Sequence, residues 1–147
     1  MEDAISMAIK GHWKKIGLEY DEKLIIRLKP GKRIYTIENG YNCTCELLKS
    51  GVDFSCIYAI SDTLAVGACR AIIDSGKRVP EDYCVAGADG QDIAEYYHPS
   101  ITTLKYPRVE TALQSVRTLF DLIDRKKVVK RQILSGTLIE RESTRKL

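Results

Sequence analysis

Two aspartates could carry ligand chemistry, because each stands where a short apolar run ends. They lie in the stretch ISDTLAVGACRAIIDSGKRVPEDYCVAGAD, where Asp62 follows the first apolar run and Asp89 follows the second. An exposed carboxylate accepts several hydrogen bonds, which suits the vicinal hydroxyl groups of a sugar or nucleoside. Helix capping is the alternative, with Ser61 as the N-cap and Asp62 stabilised in the first turn by the helix dipole. The pattern favours a capping or hinge role for Asp62 and ligand contact for Asp89.

Other kinds of chemistry have little support in the sequence. A metal site needs converging ligands, and the chain has only two histidines, so no metal is expected. No base is placed beside a cysteine by any motif, and neither GxGxxG nor GxSxG occurs, so we expect no enzyme and no cofactor. An odd number of cysteines without CxxC spacing indicates free thiols in a reducing compartment. These cysteines are Cys43, Cys45, Cys56, Cys69 and Cys84.

Hydrophobic periodicity predicts a scaffold in which strands alternate with helices. Helices are predicted over 3–16, 36–51, 62–75 and 107–127, and strands over 23–28, 53–60, 82–88 and 132–143, with an extended connector or strand over 99–107. The almost continuous apolar run over 53–60 is typical of a parallel strand buried on both faces. This order predicts an α/β fold, a mainly parallel sheet with helices on both faces in three layers.

The predicted sheet brings both aspartates to one edge. In open parallel sheets, ligands bind beyond the carboxyl ends of the strands, where helix N-termini also point. Ser61-Asp62 and Gly87-Ala88-Asp89 each follow a predicted strand. Gly87 would let the backbone come close to a ligand there.

Length and composition limit the remaining possibilities. The chain has 147 residues, 44% hydrophobic and 29% charged, which fits one globular domain. No apolar run approaches the ~18 residues of a membrane span, and the first residues do not form a secretory signal, so we expect a cytoplasmic protein. A net charge of +3 does not by itself imply nucleic acid. The basic run over 125–131 reads as a solvated loop, with phosphate contact as the alternative.

Five motifs in order resemble the LacI/GalR family of bacterial transcription regulators. They are TIENGYNCTCELLKSG with its G-Y pair, the Asp62 helix with A-x-G, SGKRVPED followed by a strand ending G-x-D, HPSITTLKYP, and GTLIERESTR. The resemblance is strong from Gly40 to Thr144. It implies the second, C-terminal lobe of a periplasmic-binding-protein-like effector domain over residues 1–104. Residues 105–147 would be a crossover helix and a returning strand, normally shared with a first lobe.

The family resemblance implies a ligand-sensing and dimerising part of a regulator. A small effector, a sugar or sugar derivative, would bind between two lobes, and DNA would bind only through a helix-turn-helix that this chain lacks. The alternative is a sugar-binding protein of the periplasmic transport type. The lack of a secretory signal, the five cysteines and the closing LIERES motif argue against that alternative.

The family's pocket positions can be carried over residue by residue. They imply effector contacts from Asp89, Ser61 beside Asp62, Tyr35 before the G-Y helix, Tyr106 after the T-T pair, and Arg108. Tyr35 could instead be a surface residue, Tyr106 a cap of the hinge and Arg108 a solvated residue of the first turn. The family also carries an arginine early in the segment AISMAIKGHW, where this chain has Ile5 or Ala8, which puts a standard sugar in doubt.

Homodimer contacts follow from the same resemblance. They implicate Val66, Arg70, Tyr96 and Tyr97, with local packing over the sheet edge as the alternative reading for the tyrosines. The apolar face of the 107–127 helix would normally pack on the first lobe. Without a first lobe, the helix either folds back onto the second lobe or has its apolar face covered by another copy of the chain. Its residues are Val109, Leu113, Val116 and Phe120.

Overall fold

A computed structural model describes Lys15, Gly17, residues 21–28 and residues 33–145. Within these residues a short 3-10 helix, Glu22–Leu24, precedes alternating helices and strands. The helices are α1 (Ile37–Lys49), α2 (Asp62–Asp74), α3 (Asp92–Tyr96) and α4 (Arg108–Ile123). The strands are β1 (Cys56–Tyr58), β2 (Cys84–Ala88), β3 (Thr102–Lys105) and β4 (Thr137–Ile139).

The strands form a sheet in the order β1-β2-β3-β4. β1, β2 and β3 run parallel, with Tyr58 opposite Ala86 and Gly87 opposite Thr103. β4 runs antiparallel to β3, with Leu138 opposite Leu104. The predicted α/β class with a mainly parallel sheet is confirmed, and the carboxyl ends of β1, β2 and β3 meet at one edge.

Side-chain caps set the start of the two long helices beside the sheet. The Thr36 hydroxyl accepts a 3.1 Å hydrogen bond from the Asn39 amide at the start of α1. The Ser61 hydroxyl accepts one of 3.3 Å from the Leu64 amide at the start of α2. Each cap pairs an amide that would otherwise lack an intrahelical partner. Both caps confirm the predicted helix starts.

Helices α1 and α2 pack backbone against backbone through two glycines. A Cβ at Gly40 would overlap the Leu64 carbonyl oxygen, and a Cβ at Gly67 would overlap the Ile37 carbonyl oxygen. Only glycine permits this approach at either position. The G-Y pair and the A-x-G pattern therefore place α1 tightly on α2.

The hydrophobic core lies between α2 and one face of the sheet. Helix α2 is buried on most of its circumference because it packs against α1, α3 and the sheet. Small side chains on α2 let it approach the strands closely. The core is formed by Ala59, Leu64, Ala65, Val66, Ala68, Cys69, Ile72, Val85, Ala94 and Ile101.

The closing motif fastens the chain to the amino ends of β2 and β3. The buried Ser143 hydroxyl donates to the Val85 carbonyl at 2.6 Å and accepts from the Thr102 amide at 2.8 Å. Arg141 donates to the Ile101 carbonyl at 2.9 Å and to Glu95 at 3.2 Å. The LIERES segment thus has a packing role on the opposite sheet edge from the aspartates.

Several predicted elements differ from the structure. The strand predicted over 23–28 is wrong: Asp21 caps the Glu22–Leu24 3-10 helix by accepting a 2.9 Å hydrogen bond from the Lys23 amide, and residues 25–28 have no regular structure. Burial of the 53–60 run on both faces is also wrong, because β1 is an edge strand of the described sheet and Cys56 and Tyr58 are exposed. The short α3 was not predicted. The helix predicted over 3–16 falls, apart from Lys15, outside the described residues.

Helix α4 keeps its apolar face in solvent. None of its side chains is buried, and those of the predicted face are each more than half exposed. Folding back onto the lobe, one of the two alternatives for this face, is therefore not what the structure shows. The helix ends at Ile123 rather than 127, and the final strand covers only Thr137–Ile139. The exposed face consists of Val109, Leu113, Val116, Leu119, Phe120 and Ile123.

Candidate functional site

Asp62 is a fully buried carboxylate that joins three elements at the edge of the sheet. Its Oδ1 accepts a 2.6 Å hydrogen bond from the Thr103 hydroxyl of β3. Its Oδ2 accepts a 2.6 Å hydrogen bond from the backbone amide of Gln91, in the loop after β2. Hydrogen bonds to a charged acceptor are stronger than neutral ones, and the N-terminus of α2 stabilises the negative charge. Asp62 therefore fixes the loop that carries Asp89.

Gly87 makes room for that carboxylate. A Cβ at Gly87 would overlap Asp62 Oδ1 and lie 3.2 Å from the Ala65 Cβ. Gly87 was expected to let the backbone come close to a ligand, and in the structure its missing side chain makes room for Asp62 of the same chain.

Asp89 lies directly after β2 in a strained backbone conformation. Its φ of 101° falls in the left-handed region that residues with a side chain rarely adopt. Two hydrogen bonds from this loop to β3 hold it, from the Asp89 amide to the Leu104 carbonyl at 3.0 Å and from the Gly90 amide to the Thr103 hydroxyl at 3.2 Å. Backbone strain held by its surroundings is frequent at functional sites.

The Asp89 side chain opens onto a cleft of about 400 Å³. The Gln91 side-chain amide donates to Asp89 Oδ2 at 3.0 Å, which orients the carboxylate. On the other wall, the Ser61 and Thr63 hydroxyls are 3.0 Å apart, and the Thr63 hydroxyl donates to the Tyr35 carbonyl at 3.2 Å. The lining residues are Tyr35, Ile60, Ser61, Thr63, Asp89 and Gln91.

The structure brings together three of the predicted effector residues, Asp89, Ser61 and Tyr35. Ile60, Thr63 and Gln91 also line the cleft and were not predicted. Each of these three residues lies within two positions of a predicted site residue, so their closeness to it in the sequence could have indicated them.

Tyr106 follows the end of β3 and lies outside the lining of this cleft. Tyr106 is 42% exposed, and Tyr58 at the end of β1 is 51% exposed. Burial raises the pKa of Tyr58, and Tyr106, Asp89 and Asp62 raise it further. The exposure of Tyr58 was not predicted, because the apolar run around it predicted a buried strand.

Arg108 is exposed in the first turn of α4. Its backbone amide donates to the Tyr106 carbonyl at 2.8 Å, and its side chain is not among the residues that line the cleft. The structure therefore does not bring Arg108 together with Asp89 and Ser61.

The residues expected at a dimer interface have different surroundings. Val66 is 3% exposed and belongs to the core, so it offers almost no surface to a partner. Arg70 pairs with Asp74 at 2.9 Å on the outer side of α2. Tyr96 is 84% exposed, whereas Tyr97 packs against the core, where burial raises its pKa.

The described residues offer few other candidate sites. Among them, no group of three or more His, Cys, Asp and Glu side chains is placed to hold a metal ion. None of the helices in this part of the chain is long and apolar enough to span a membrane. The five cysteines all lie in the described part of the chain, and none of them forms a disulfide.

Comparison with known proteins identifies the family. Residues 30–144 match the periplasmic binding protein-like domain. The transcriptional regulator MalR of Clostridium butyricum is 39% identical over 138 residues, which are 92% of this chain and 40% of that protein. The chain thus spans less than half the length of this relative.

Two solved structures share the fold at higher than 25% identity. The CelR transcriptional regulator in complex with cellobiose has a TM-score of 0.82 at 29% identity, over 95% of this chain and 42% of that one. The lac repressor dimer bound to operator and the anti-inducer ONPF has a TM-score of 0.71 at 31% identity, over 74% of this chain and 38% of that one.

These relatives are transcription regulators, which confirms the expected resemblance and the expectation that the chain is not an enzyme. The matched region also contains the cleft and the five motifs that carried the resemblance, except Arg145 at the end of the last motif. The chain belongs to the periplasmic binding protein-like domain family, in the form found in LacI/GalR transcription regulators.

Proposed function

We propose that this chain is the ligand-sensing part of a cytoplasmic transcription regulator and that it binds a sugar or sugar derivative beside Asp89. The observation that carries the proposal is the strained Asp89 at the strand edge, with its carboxylate oriented by Gln91 toward an open cleft. The cellobiose complex of a relative supports a carbohydrate as the ligand class. Because the relatives are regulators, the transport-type alternative is not favoured.

The chemistry of the cleft suits a hydroxylated ring. One Asp89 oxygen accepts the hydrogen bond from Gln91, which leaves acceptor capacity for ligand hydroxyls. Ser61 and Thr63 offer hydroxyls that both donate and accept. The half-exposed ring of Tyr35 offers an apolar surface for the carbon face of a sugar.

Asp62 has a different part in this proposal. Because it is fully buried and both its oxygens accept hydrogen bonds, it positions the Asp89 loop without touching the ligand. Tyr106 and Arg108, which lie outside the cleft lining, would contribute only to a larger ligand or to the lobe junction.

We further propose residues 1–104 as the second lobe and 105–147 as the crossover helix and returning strand. The exposed apolar face of α4 supports this division, since such a face normally packs on another part of a protein. In the whole regulator, DNA would bind through a helix-turn-helix outside this chain. Arg70, Tyr96 and Tyr97 remain the candidates for a homodimer contact, and Val66 does not, because it is buried.

Ligand-dependent stability tests the proposal. We would measure the melting temperature of this chain with millimolar cellobiose, lactose and glucose, for the unchanged chain and for Asp89→Asn. A ligand that binds only the folded state adds about 1.4 kcal/mol of stability at ten times its Kd. We expect at least one sugar to raise the melting temperature and Asp89→Asn to remove that increase.

Asp92→Asn is the matched control, because Asp92 carries the same charge three positions away, outside the residues that line the cleft. It should retain the response to sugar. The proposal fails if no sugar stabilises the chain, or if Asp89→Asn responds as the unchanged chain does.

A further inference from the structure

We propose that Cys56 and Cys84 form a dithiol site on the face of the sheet that points away from the core, where one trivalent arsenic atom bridges the two sulfurs. The ligand class is an arsenite or an organic arsenic(III) oxide. This inference does not rest on the proposed sugar site, and both cysteines lie outside the residues that line that cleft.

The pairing of β1 with β2 places the two cysteines side by side. Cys56 and Cys84 are partners in the register of these parallel strands, and the Cys84 amide donates a 2.9 Å hydrogen bond to the Ser55 carbonyl. Neighbouring strands of a sheet lie about 4.8 Å apart. This spacing falls within the range of about 4.4–6.8 Å between Cα atoms over which two cysteines can be bridged.

Both thiols lie on the same face of the sheet and can be reached from solution. Ile57 and Val85 are the next pair of register partners, and both pack in or against the core. Because side chains alternate between the two faces along a strand, Cys56 and Cys84 lie on the other face. Cys56 is exposed and Cys84 is half-buried, so a small reagent has access to the pair.

The other three cysteines are placed differently. Cys43 and Cys45 are two positions apart on α1, and side chains at that spacing do not face each other on a helix. Cys69 is buried in the core between α2 and the sheet. Cys56 and Cys84 are the pair that strand pairing brings together.

The chemistry of the pair suits a neutral bridge better than two thiolates. Burial raises the pKa of Cys56, and the neighbouring Cys84 raises it further, because two adjacent negative charges would repel each other. An arsenic(III) oxide condenses with two thiols: two As–S bonds form, and both S–H protons leave with the oxide oxygen as one water. Arsenic stays trivalent, so no oxidant is needed, and neither sulfur is left charged.

A bridging atom also fits the backbone better than a direct disulfide. A disulfide requires an S–S bond of about 2 Å and a narrow range of dihedral angles, whereas an inserted atom lets the two sulfurs stay further apart. The reaction breaks the weak 3.7 Å hydrogen bond from the Cys84 thiol to the Pro80 carbonyl.

Binding of phenylarsine oxide tests the proposal. We would add this reagent to the reduced native chain and follow the adduct by intact mass spectrometry. We expect one phenylarsenic group per chain, with the loss of one water relative to the chain plus the reagent. The adduct should survive millimolar 2-mercaptoethanol, and 2,3-dimercaptopropanol should release it, because only a competitor with two linked thiols matches a two-sulfur site.

Single substitutions distinguish a two-sulfur site from reaction at one thiol. Cys56→Ser and Cys84→Ser should each weaken phenylarsine oxide binding at least about a hundredfold, since the second As–S bond forms within one molecule. The double variant should bind about as weakly as either single variant. Cys45→Ser is the matched control, because Cys45 is partly accessible but lies on α1, and it should bind as the unchanged chain does.

Two results would overturn the dithiol site. One is equal binding by Cys56→Ser and the unchanged chain, and the other is an adduct that 2-mercaptoethanol removes. Because Cys56 is exposed, its replacement by serine should leave the melting temperature nearly unchanged. The Cys56→Ser comparison therefore decides the question independently of how well Cys84→Ser folds.

Discussion

The hydroxyl of Thr103 donates a 2.6 Å hydrogen bond to the carboxylate of Asp62, which lies 41 positions earlier in the chain. The bond ties the N-terminus of α2 to the middle of β3 inside the protein. The same hydroxyl also accepts from the Gly90 amide, so the geometry around Asp89 depends on one threonine.

Thr103→Val should therefore destabilise the fold and loosen the Asp89 loop. Valine keeps the shape of the side chain but leaves Asp62 Oδ1 and the Gly90 amide without this partner. The expected loss is about 1–3 kcal/mol in the free energy of unfolding, measured in urea. Thr111→Val on exposed α4, where the hydroxyl bonds only to the Pro107 carbonyl of its own helix, should cost under about 0.5 kcal/mol. Equal losses in the two variants would contradict the buried role of Thr103.

Gly87→Ala should be destabilising because the added methyl group collides with Asp62. Overpacking of this kind costs about 1–3 kcal/mol in the free energy of unfolding. The cost should shrink when Asp62→Ala is already present, since the carboxylate that occupies the space is gone. A double-mutant cycle measures this coupling. Additive effects would show that Gly87 is required for some reason other than the carboxylate.

Native thiols should differ widely in their reactivity. Burial raises the pKa of Cys69 to about 12, so at pH 8 only about one molecule in 10⁴ carries the reactive thiolate there. Cys56 is exposed, although burial of its sulfur and the neighbouring Cys84 raise its pKa as well. Iodoacetamide labelling followed by mass spectrometry should modify Cys56 first and Cys69 only after urea is added. Rapid labelling of Cys69 in the native chain would contradict its placement in the core.

The stability of the fold should fall in mild acid, because protonation of Glu142 removes a stabilising interaction. The Ser100 amide and hydroxyl donate to its carboxylate at 2.8 and 3.0 Å, and these bonds, with His98 nearby, hold its pKa below the ordinary 4.5. A depressed folded pKa contributes stability above 4.5 that is lost as the pH falls from there through the folded value. Glu142→Gln should reduce the drop in melting temperature between pH 6 and pH 3. Glu140→Gln serves as the control, and an identical drop in all three chains would refute the assignment.

The exposed face of α4 should cause self-association of this chain. Apolar patches of this kind seldom stay in water, and here six large side chains on one helix remain uncovered. Light scattering should show a mass that rises with concentration. Val116→Lys with Phe120→Lys should lower that mass with little change in melting temperature, whereas Ile26→Lys, which changes an exposed apolar side chain outside α4, should leave it unchanged. A chain that stays monomeric at every concentration would contradict this prediction.

Local signals in the sequence were enough to predict the helices. The Thr36 and Ser61 caps lie within three positions of the amides they pair, so periodicity and capping residues identify α1 and α2. Helix α3 has only five residues and its N-cap Gln91 makes no side-chain capping bond, so no comparable signal marked it. The strand expected over 23–28 needed a neighbouring strand to pair with, and a strand-like composition does not reveal whether one is present.

The candidate site was predictable only in part, because it also depends on contacts between residues that are distant in the chain. Strand ends carrying polar residues pointed to Asp89 and Ser61, and the family resemblance added Tyr35. The distinction between a buried Asp62 and an open Asp89 depends on Gln91 and Thr103, which are 29 and 41 positions from Asp62. Such distant pairings leave no local pattern. The exposure of Tyr58 was not predicted either, because the exposure of an edge strand depends on what covers the sheet.

The two hydrogen bonds of Ser143 also affect how long the folded state lasts. They reach across 58 and 41 positions to the starts of β2 and β3, whereas α2 and β2, which share the core, are neighbours in the chain. Closing such loops costs conformational entropy before the contacts can stabilise the fold, so we expect these two bonds to form late in folding. We therefore expect Ser143 to slow unfolding more than it speeds folding, so that it sets the lifetime of the native sheet.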